Sequence, residues 1–373
     1  YRRAVETTAK KYNEGKFKEA YEGLREGVRQ IDNISFTETA EVDFSSSIAF
    51  LNQQKEGLTR ALTFGVTAMD KLLLPEGVSG SLLPGDTTIL LAPTNIGKTT
   101  SMITVARHNI LRGKSVLFLT HEGRPADIQE KIWRSVLKVD ARTLFRMQAT
   151  EEGQKRLAIA TKYLTRFMKY RPIHRPSLTV EELDGIIHRA NDKQIAQFGK
   201  PFDLVVDDYP AKLQTATGAK GNLQRRQKDE YVYDYMSRLA SDMDFHLLCA
   251  IQGNREASKV NRQSDKQADH RLLTHEDVSE AFGPIMVATN VITINRSPQA
   301  VANNRVTYLL CKSRSSETGF AVVCRSDYNR AMTHSDDLGA TWYRGTGTME
   351  SKIDDLLSQH LNQAIPEHLW DHH

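Results

Sequence analysis

Residues 90–108 read LLAPTNIGKTTSMITVARH, and the fold turns on them. A β-favouring run stops at Ala92-Pro93-Thr94-Asn95-Ile96-Gly97-Lys98-Thr99, and from Thr100 onward the residues favour helix. A loop of this composition between a strand and a helix points successive backbone N–H groups inward. With the helix dipole they form a cradle for phosphate. Gly97 permits the tight approach, Lys98 reaches the β- and γ-phosphates, and Thr99 supplies a hydroxyl to Mg²⁺. The expected ligand is therefore a nucleoside triphosphate, ATP with Mg²⁺, held along Ala92–Thr100. The usual first glycine of such a loop is Ala92 here.

Outward from this stretch, apolar runs recur at 87–93, 115–122, 202–209, 245–252, 290–296, 306–312 and 320–325. Helical patterns separate the first four: 99–113, the long 124–195 region and 229–244. Continuous apolar strands alternating with helices predict an α/β fold with a mainly parallel sheet buried on both faces. The last three runs follow one another closely and predict an antiparallel extension. At the N-terminus, Phe17, Ala20, Tyr21, Leu24, Val28 and Ile31 make one apolar stripe, read as a helix that a polar linker (32–60) frees to dock elsewhere. A second amphipathic helix is expected at 349–363. The organisation read from these patterns is 1–60 helix and linker, 61–345 ATPase domain, and 346–373 C-terminal helix and tail.

Composition narrows the class. The 373 residues are 39% apolar and 26% charged, with a net charge of +4. No apolar stretch approaches the roughly 20 residues of a membrane span, and YRRAVETTAKK lacks the apolar core of a signal peptide. Tyr1 is not a natural start, so the chain reads as part of a longer protein. Cys249, Cys311 and Cys324 each follow two aliphatic residues and read as buried, reduced strand thiols. Positive charge is concentrated in AKGNLQRRQK (219–228), with Lys220, Arg225 and Arg226, and in 255–271, with Arg255, Lys259, Arg262 and Lys266. Either segment is a solvated loop or a contact for nucleic-acid phosphates.

Four further positions carry chemistry. FDLVVDDY offers Asp207 and Asp208 at a strand end for the metal, and alternation lets only one face the nucleotide. Glu122, closing SVLFLTHE at a carboxyl strand edge, is the candidate to orient the attacking water. Gln252, closing FHLLCAIQ, can touch the γ-phosphate and the loop after it. Lys312 and Arg314, two apart in CKSRSSETG, project from one face and could stabilise charge on a transferring phosphoryl group.

In this order, APTNIGKTT, LFLTHEGRP, DLVVDDYPAKL, AIQGNRE and KSRSSETG resemble the RecA-like ATPase domain of the DnaB family of replicative helicases, phage versions included. The resemblance covers roughly residues 61–330. That family's loop also begins with alanine, which accounts for Ala92. The resemblance places the catalytic glutamate on Glu122 and the metal-associated aspartate on Asp208, beside Tyr209. It places the sensor on Gln252 with Asn254 and Arg255, the arginine finger on Arg314 and its accompanying lysine on Lys312. It implies a RecA-like core, a hexamer whose first helix packs on a neighbouring subunit, and ATP-driven movement on single-stranded DNA by loops 253–272 and 215–228. A primase or helicase loader as partner, no membrane, and a cytoplasmic setting in a bacterial or phage-infected cell follow. Two other readings stay open: a RecA-type recombinase, for which Phe17-Lys18-Glu19-Ala20 matches a polymerisation pattern, and a regulatory P-loop ATPase that binds protein alone.

Overall fold

The computed structural model describes residues 58–73, 81–173, 175–215, 225–253, 257–259, 272–277 and 282–344, together with Lys11, Glu14, Lys16 and Glu19. The apolar stripe at 17–31, the tail 346–373, and Lys220, Arg255, Arg262 and Lys266 lie outside the described residues. The chain divides into two compact units, Tyr1–Gln54 and Lys55–His373. In the first, Lys11 pairs with Glu19 at 3.4 Å and Lys16 with Glu14 at 3.0 Å. All that follows concerns the second.

Nine strands among the described residues form one sheet in the order β3-β2-β4-β5-β1-β6-β7-β8-β9. The strands are β1 Thr87–Ala92, β2 Val116–Thr120, β3 Met168–Pro172, β4 Leu204–Asp208, β5 His246–Gln252, β6 Asn290–Asn295, β7 Arg305–Ser313, β8 Phe320–Arg325 and β9 Ala340–Arg344. The six strands from β3 to β6 are parallel. From β6 to β9 each pairing is antiparallel. All seven apolar runs are strands.

Period-two alternation explains why these runs are continuously apolar. In β1, Leu90 and Ala92 enter the core on one face while Ile89 and Leu91 enter the core on the other. The first face is covered by α1 (Thr67–Leu73), α2 (Lys98–Ile110) and α3 (Pro125–Leu137), through residues such as Met69, Met102, Val105 and Ile128. The second is covered by α6 (Val180–Phe198), α7 (Arg225–Met243) and α8 (Phe282–Val287), through Leu183, Ile187, Val232, Met236 and Ile285. Burying one leucine on either face is worth about 1.5–3 kcal/mol, so a charge inside any of the central runs would be strongly disfavoured.

Two strands depart from expectation. The 124–195 region is not helical throughout: after α4 (Ala141–Arg146) and α5 (Glu151–Phe167), β3 extends the sheet beyond β2. Its sequence, MKYRP, is polar and ends in proline, which suits only an edge strand. The other edge is β9, ATWYR. Cys311, expected to be buried, is only partly so, whereas Cys249 and Cys324 are buried; all three are free thiols.

Candidate active site

The loop between β1 and α2 has the geometry its sequence predicts. Gly97 caps α2 with φ 108°, a left-handed conformation that side chains resist. A Cβ there would also lie 2.5 Å from the Tyr328 hydroxyl. Asn95, the other left-handed residue of the turn, has φ 62°. Pro93 and Thr100 are buried, Thr94 and Asn95 exposed, and Ile96 to Thr99 half-buried. The free N–H groups of a thirteen-residue helix therefore open directly onto the loop. The Lys98 ammonium donates to the carbonyls of Ala92 (2.7 Å) and Pro93 (2.8 Å). Burial draws its pKa down to about 8, against the pull of Asp208 and Glu122.

Parity within the strands sorts the two aspartates. Leu204 and Val206 face the α2 side of the sheet, so Asp208 does too; Val205 and Asp207 face α7. Thr99 Oγ1 accordingly donates to Asp208 Oδ2 at 2.5 Å. Burial raises the Asp208 pKa, partly countered by the Thr99 bond and Lys98. A hydroxyl and one carboxylate, both hard oxygen donors beside a phosphate cradle, are the donor set Mg²⁺ favours when it keeps several waters and substrate oxygens. Asp207, fully buried, instead pairs with His121 at 2.7 Å on the opposite face, and its Oδ2 has no partner among the described residues. The His121 imidazole is 4% exposed; burial pulls its pKa down, but the neighbouring carboxylates more than compensate and hold it above the usual value. The same parity in β2 puts His121 toward α7 and Glu122 toward α2.

Glu122 and Gln252 are brought together. The Tyr209 hydroxyl lies 3.3 Å from Glu122 Oε1 and 3.4 Å from Gln252 Oε1. Ala92 and Gln252 are directly paired across β1 and β5. Gly253 follows, its N–H bonded to the Ala92 carbonyl at 2.9 Å; a Cβ there would meet Ala257 at 2.8 Å. The strand end that carries Gln252 is thus held hard against the phosphate loop.

Lys312 and Arg314 are not brought to this cradle. They lie where β7 ends, beside Asn290 at the start of β6, which pairs with Thr88 at the start of β1. The length of β1, roughly 17 Å at 3.3 Å per residue, separates them from the loop. There Lys312 donates to the carbonyls of Ile285, Met286 and Ala288 at 2.8–2.9 Å, and Arg314 to that of Val287 at 3.0 Å. Both cations sit at the carbonyl end of α8, where positive charge is favoured. Of the basic residues expected to meet DNA, Arg226 and Lys259 are exposed, and Arg225 opens α7.

Several residues at the site escaped the sequence reading. Tyr328 leans on the phosphate loop, its hydroxyl donating to the Ile96 carbonyl at 3.1 Å. The Arg296 guanidinium stacks 3.8 Å from the centre of its ring. Arg134 anchors that turn through the carbonyls of Tyr328 and Asn329. A cavity of about 510 Å³ opens beside Tyr328, lined in part by Asn304, Arg305, Arg325 and Ser326. Only a charged residue at the end of an apolar run, as in INR at 294–296, could have flagged Arg296. Nothing in SDYNR marks Tyr328.

A three-layer α/β fold with a glycine-turned phosphate loop, a facing strand-end aspartate and a neighbouring glutamate defines a RecA-like P-loop protein. The profile of the DnaB-like helicase C-terminal domain matches residues 63–331, and the chain belongs to that family. Among solved structures, an isolated ATPase domain superposes with a TM-score of 0.63 at 15% identity, covering 79% of this chain and 99% of that one. A DnaB-like replicative helicase, described with its interactions with primase, superposes with a TM-score of 0.60 at 16% identity, covering 89% and 76% respectively. No curated protein matches in sequence.

Proposed function

We propose that this chain is the ATP-hydrolysing motor of a ring-shaped, hexameric replicative helicase that moves along single-stranded DNA. The observation that carries this reading is the split of complementary chemistry between two edges of one sheet. Phosphate-binding backbone, Lys98, Thr99, Asp208 and Glu122 gather at one edge; Lys312 and Arg314 stand at the other, beyond reach of their own loop. A ring in which each edge meets its opposite on the next copy completes every site.

In this mechanism the α2 N-terminus and Lys98 grip the β- and γ-phosphates. Thr99 and Asp208 would hold Mg²⁺, which supplies charge neutralisation of the phosphate oxygens. Glu122 orients the attacking water, and Gln252 reports loss of the γ-phosphate to the loop that follows it. Arg314 and Lys312 of the adjoining copy stabilise charge on the transferring group. Tyr328, Arg296 and the adjacent cavity are placed for the nucleoside end. Residues 1–60 serve as a subunit-docking segment, 61–345 as the motor and 346–373 as a tail. Basic residues around 215–228 and 253–272 follow the DNA backbone, giving sequence-tolerant, salt-sensitive binding. A primase or loader as partner and a cytoplasmic setting belong to the same proposal.

The test is ATPase rate with and without single-stranded DNA, run beside mass determination with and without nucleotide. Stimulation by DNA together with a six-copy assembly is expected. A fully active monomer, or a rate indifferent to DNA, would overturn the reading.

A further inference from the structure

Lys212 ends the short turn Pro210–Lys212 that follows Asp208 and Tyr209. Its ammonium lies 2.6 Å from Glu122 Oε1, the same oxygen that the Tyr209 hydroxyl approaches at 3.3 Å. It also stands 5.5 Å from the centre of the Tyr209 ring. Both contacts fall on one carboxylate oxygen, and among the described residues no protein donor meets Oε2. The turn itself is firmly held: Leu213 is buried, and Lys228 of α7 donates to the Ala211 carbonyl at 2.8 Å. Glu122, by contrast, lies just past the end of β2 with its side chain 48% exposed.

From this geometry we infer that Lys212 is a positioning residue: together with Tyr209 it pins Oε1 of Glu122 so that Oε2 is presented to the attacking water. The inference rests on Glu122 being the carboxylate that orients that water. A glutamate carries three rotatable bonds, and a half-exposed one left alone samples many positions. Misplacement of a reacting group by about 1 Å can cost on the order of a hundredfold in rate. Tethering one oxygen narrows that spread and leaves the second oxygen's lone pairs free. The pair is not explained as a fold strut, because exposed ion pairs contribute little to folding. Burial of Lys212 is slight, and its bond to Glu122 raises its pKa, so it stays charged at neutral pH.

The test uses the full chain with ATP and single-stranded DNA, comparing Lys212→Met and Lys212→Arg in wild-type and Glu122→Gln backgrounds. Lys212→Met should lower kcat roughly tenfold, a fraction of what loss of a general base costs. KM, DNA affinity and its salt slope should stay within about twofold if the contact touches neither nucleotide nor phosphate backbone. Lys212→Arg should restore most of the rate, and Lys212→Met should add nothing once Glu122 is already Gln. An unchanged or raised kcat in Lys212→Met overturns the inference. So does additivity with Glu122→Gln, or a weaker DNA affinity with a shallower salt slope, which would make Lys212 a DNA contact. If Glu122→Gln itself keeps full turnover, the assignment of Glu122 fails and takes this inference with it. A dead Glu122→Gln beside a fully active Lys212→Met sinks the inference alone.

Discussion

The two edges of the sheet are built from opposite materials. At the carboxyl edge of the parallel strands, four neighbouring strand ends and one helix N-terminus converge, and the side chains bond one another: Thr99 to Asp208, Tyr209 to Glu122 and Gln252, Lys98 to its own loop. At the other edge, two cations lie on the carbonyl end of α8 and touch none of these groups. A parallel sheet sends all its carboxyl ends one way, which concentrates ligand chemistry there. The antiparallel β7 runs back and delivers Lys312 and Arg314 to the far side. The difference teaches that one chain holds both halves of a phosphoryl-transfer site yet cannot assemble them by itself.

The sharpest way to break this comparison is to disable the edges separately. Lys98→Ala should remove turnover by about 10³-fold or more, with nucleotide binding weakened as well. Arg314→Ala should lose about 10³-fold in kcat while ATP still binds, as for a finger supplied from a neighbour. Mixing the two inactive variants should then restore part of the ATPase, since some interfaces pair an intact loop with an intact arginine. If mixing recovers nothing, the division of labour between edges is wrong.

The neighbouring aspartates sharpen the picture at the gripping edge. Asp207→Asn leaves the buried His121 cation uncompensated, and breaking such a pair costs about 3–5 kcal/mol, which a denaturant titration would register. Asp208→Asn should leave stability near that of the parent, because burial already disfavours its charge, yet remove Mg²⁺-dependent turnover. The reverse pattern would exchange the two assignments.

The smallest effect compares the edges under acid. His246, at the far end of β5, and His334, bonded to Tyr308 and the Phe64 carbonyl, are fully buried. Burial lowers their pKa values to about 4 and about 3 respectively. The unfolded chain binds these protons below about pH 6.5 whereas the folded chain does not, so stability should fall as pH drops from 6.5 toward 4. At pH 5 the loss is on the order of 2 kcal/mol per histidine. Asp70 and Asp86, raised by burial, act with the opposite sign and soften the slope. Replacing His246 by asparagine, whose amide can still meet the Leu83 carbonyl, should flatten the pH dependence of the melting temperature.

How much of this was legible follows from what each feature depends on. The phosphate loop can be read because its backbone demands Gly97 and its chemistry demands Lys98 and Thr99, all within a few residues. The central strands can be read because burial on both faces forces continuous apolar runs. β3 and β9 could not be read, since edge strands lean on one neighbour and tolerate MKYRP and ATWYR. Lys212, Tyr328 and Arg296 were missed because each is ordinary in its own segment; only packing brings it to the site. The expectation for Lys312 and Arg314 as a same-face pair holds, while their seat on α8 depends on a helix some 25 residues earlier in the chain.

By itself, then, the sequence determined the kind of ligand, the parallel core and the order of the motifs, because these rest on local backbone geometry and on burial periodicity. Only the tertiary structure decided that Asp208 rather than Asp207 faces α2, that Tyr209 and Lys212 share Glu122 Oε1, and that the two cations stand a strand's length from the cradle. Those are matters of which face and which edge a residue occupies. Alternation specifies that two neighbours point apart, but which of the two meets the helix depends on how the sheet is covered.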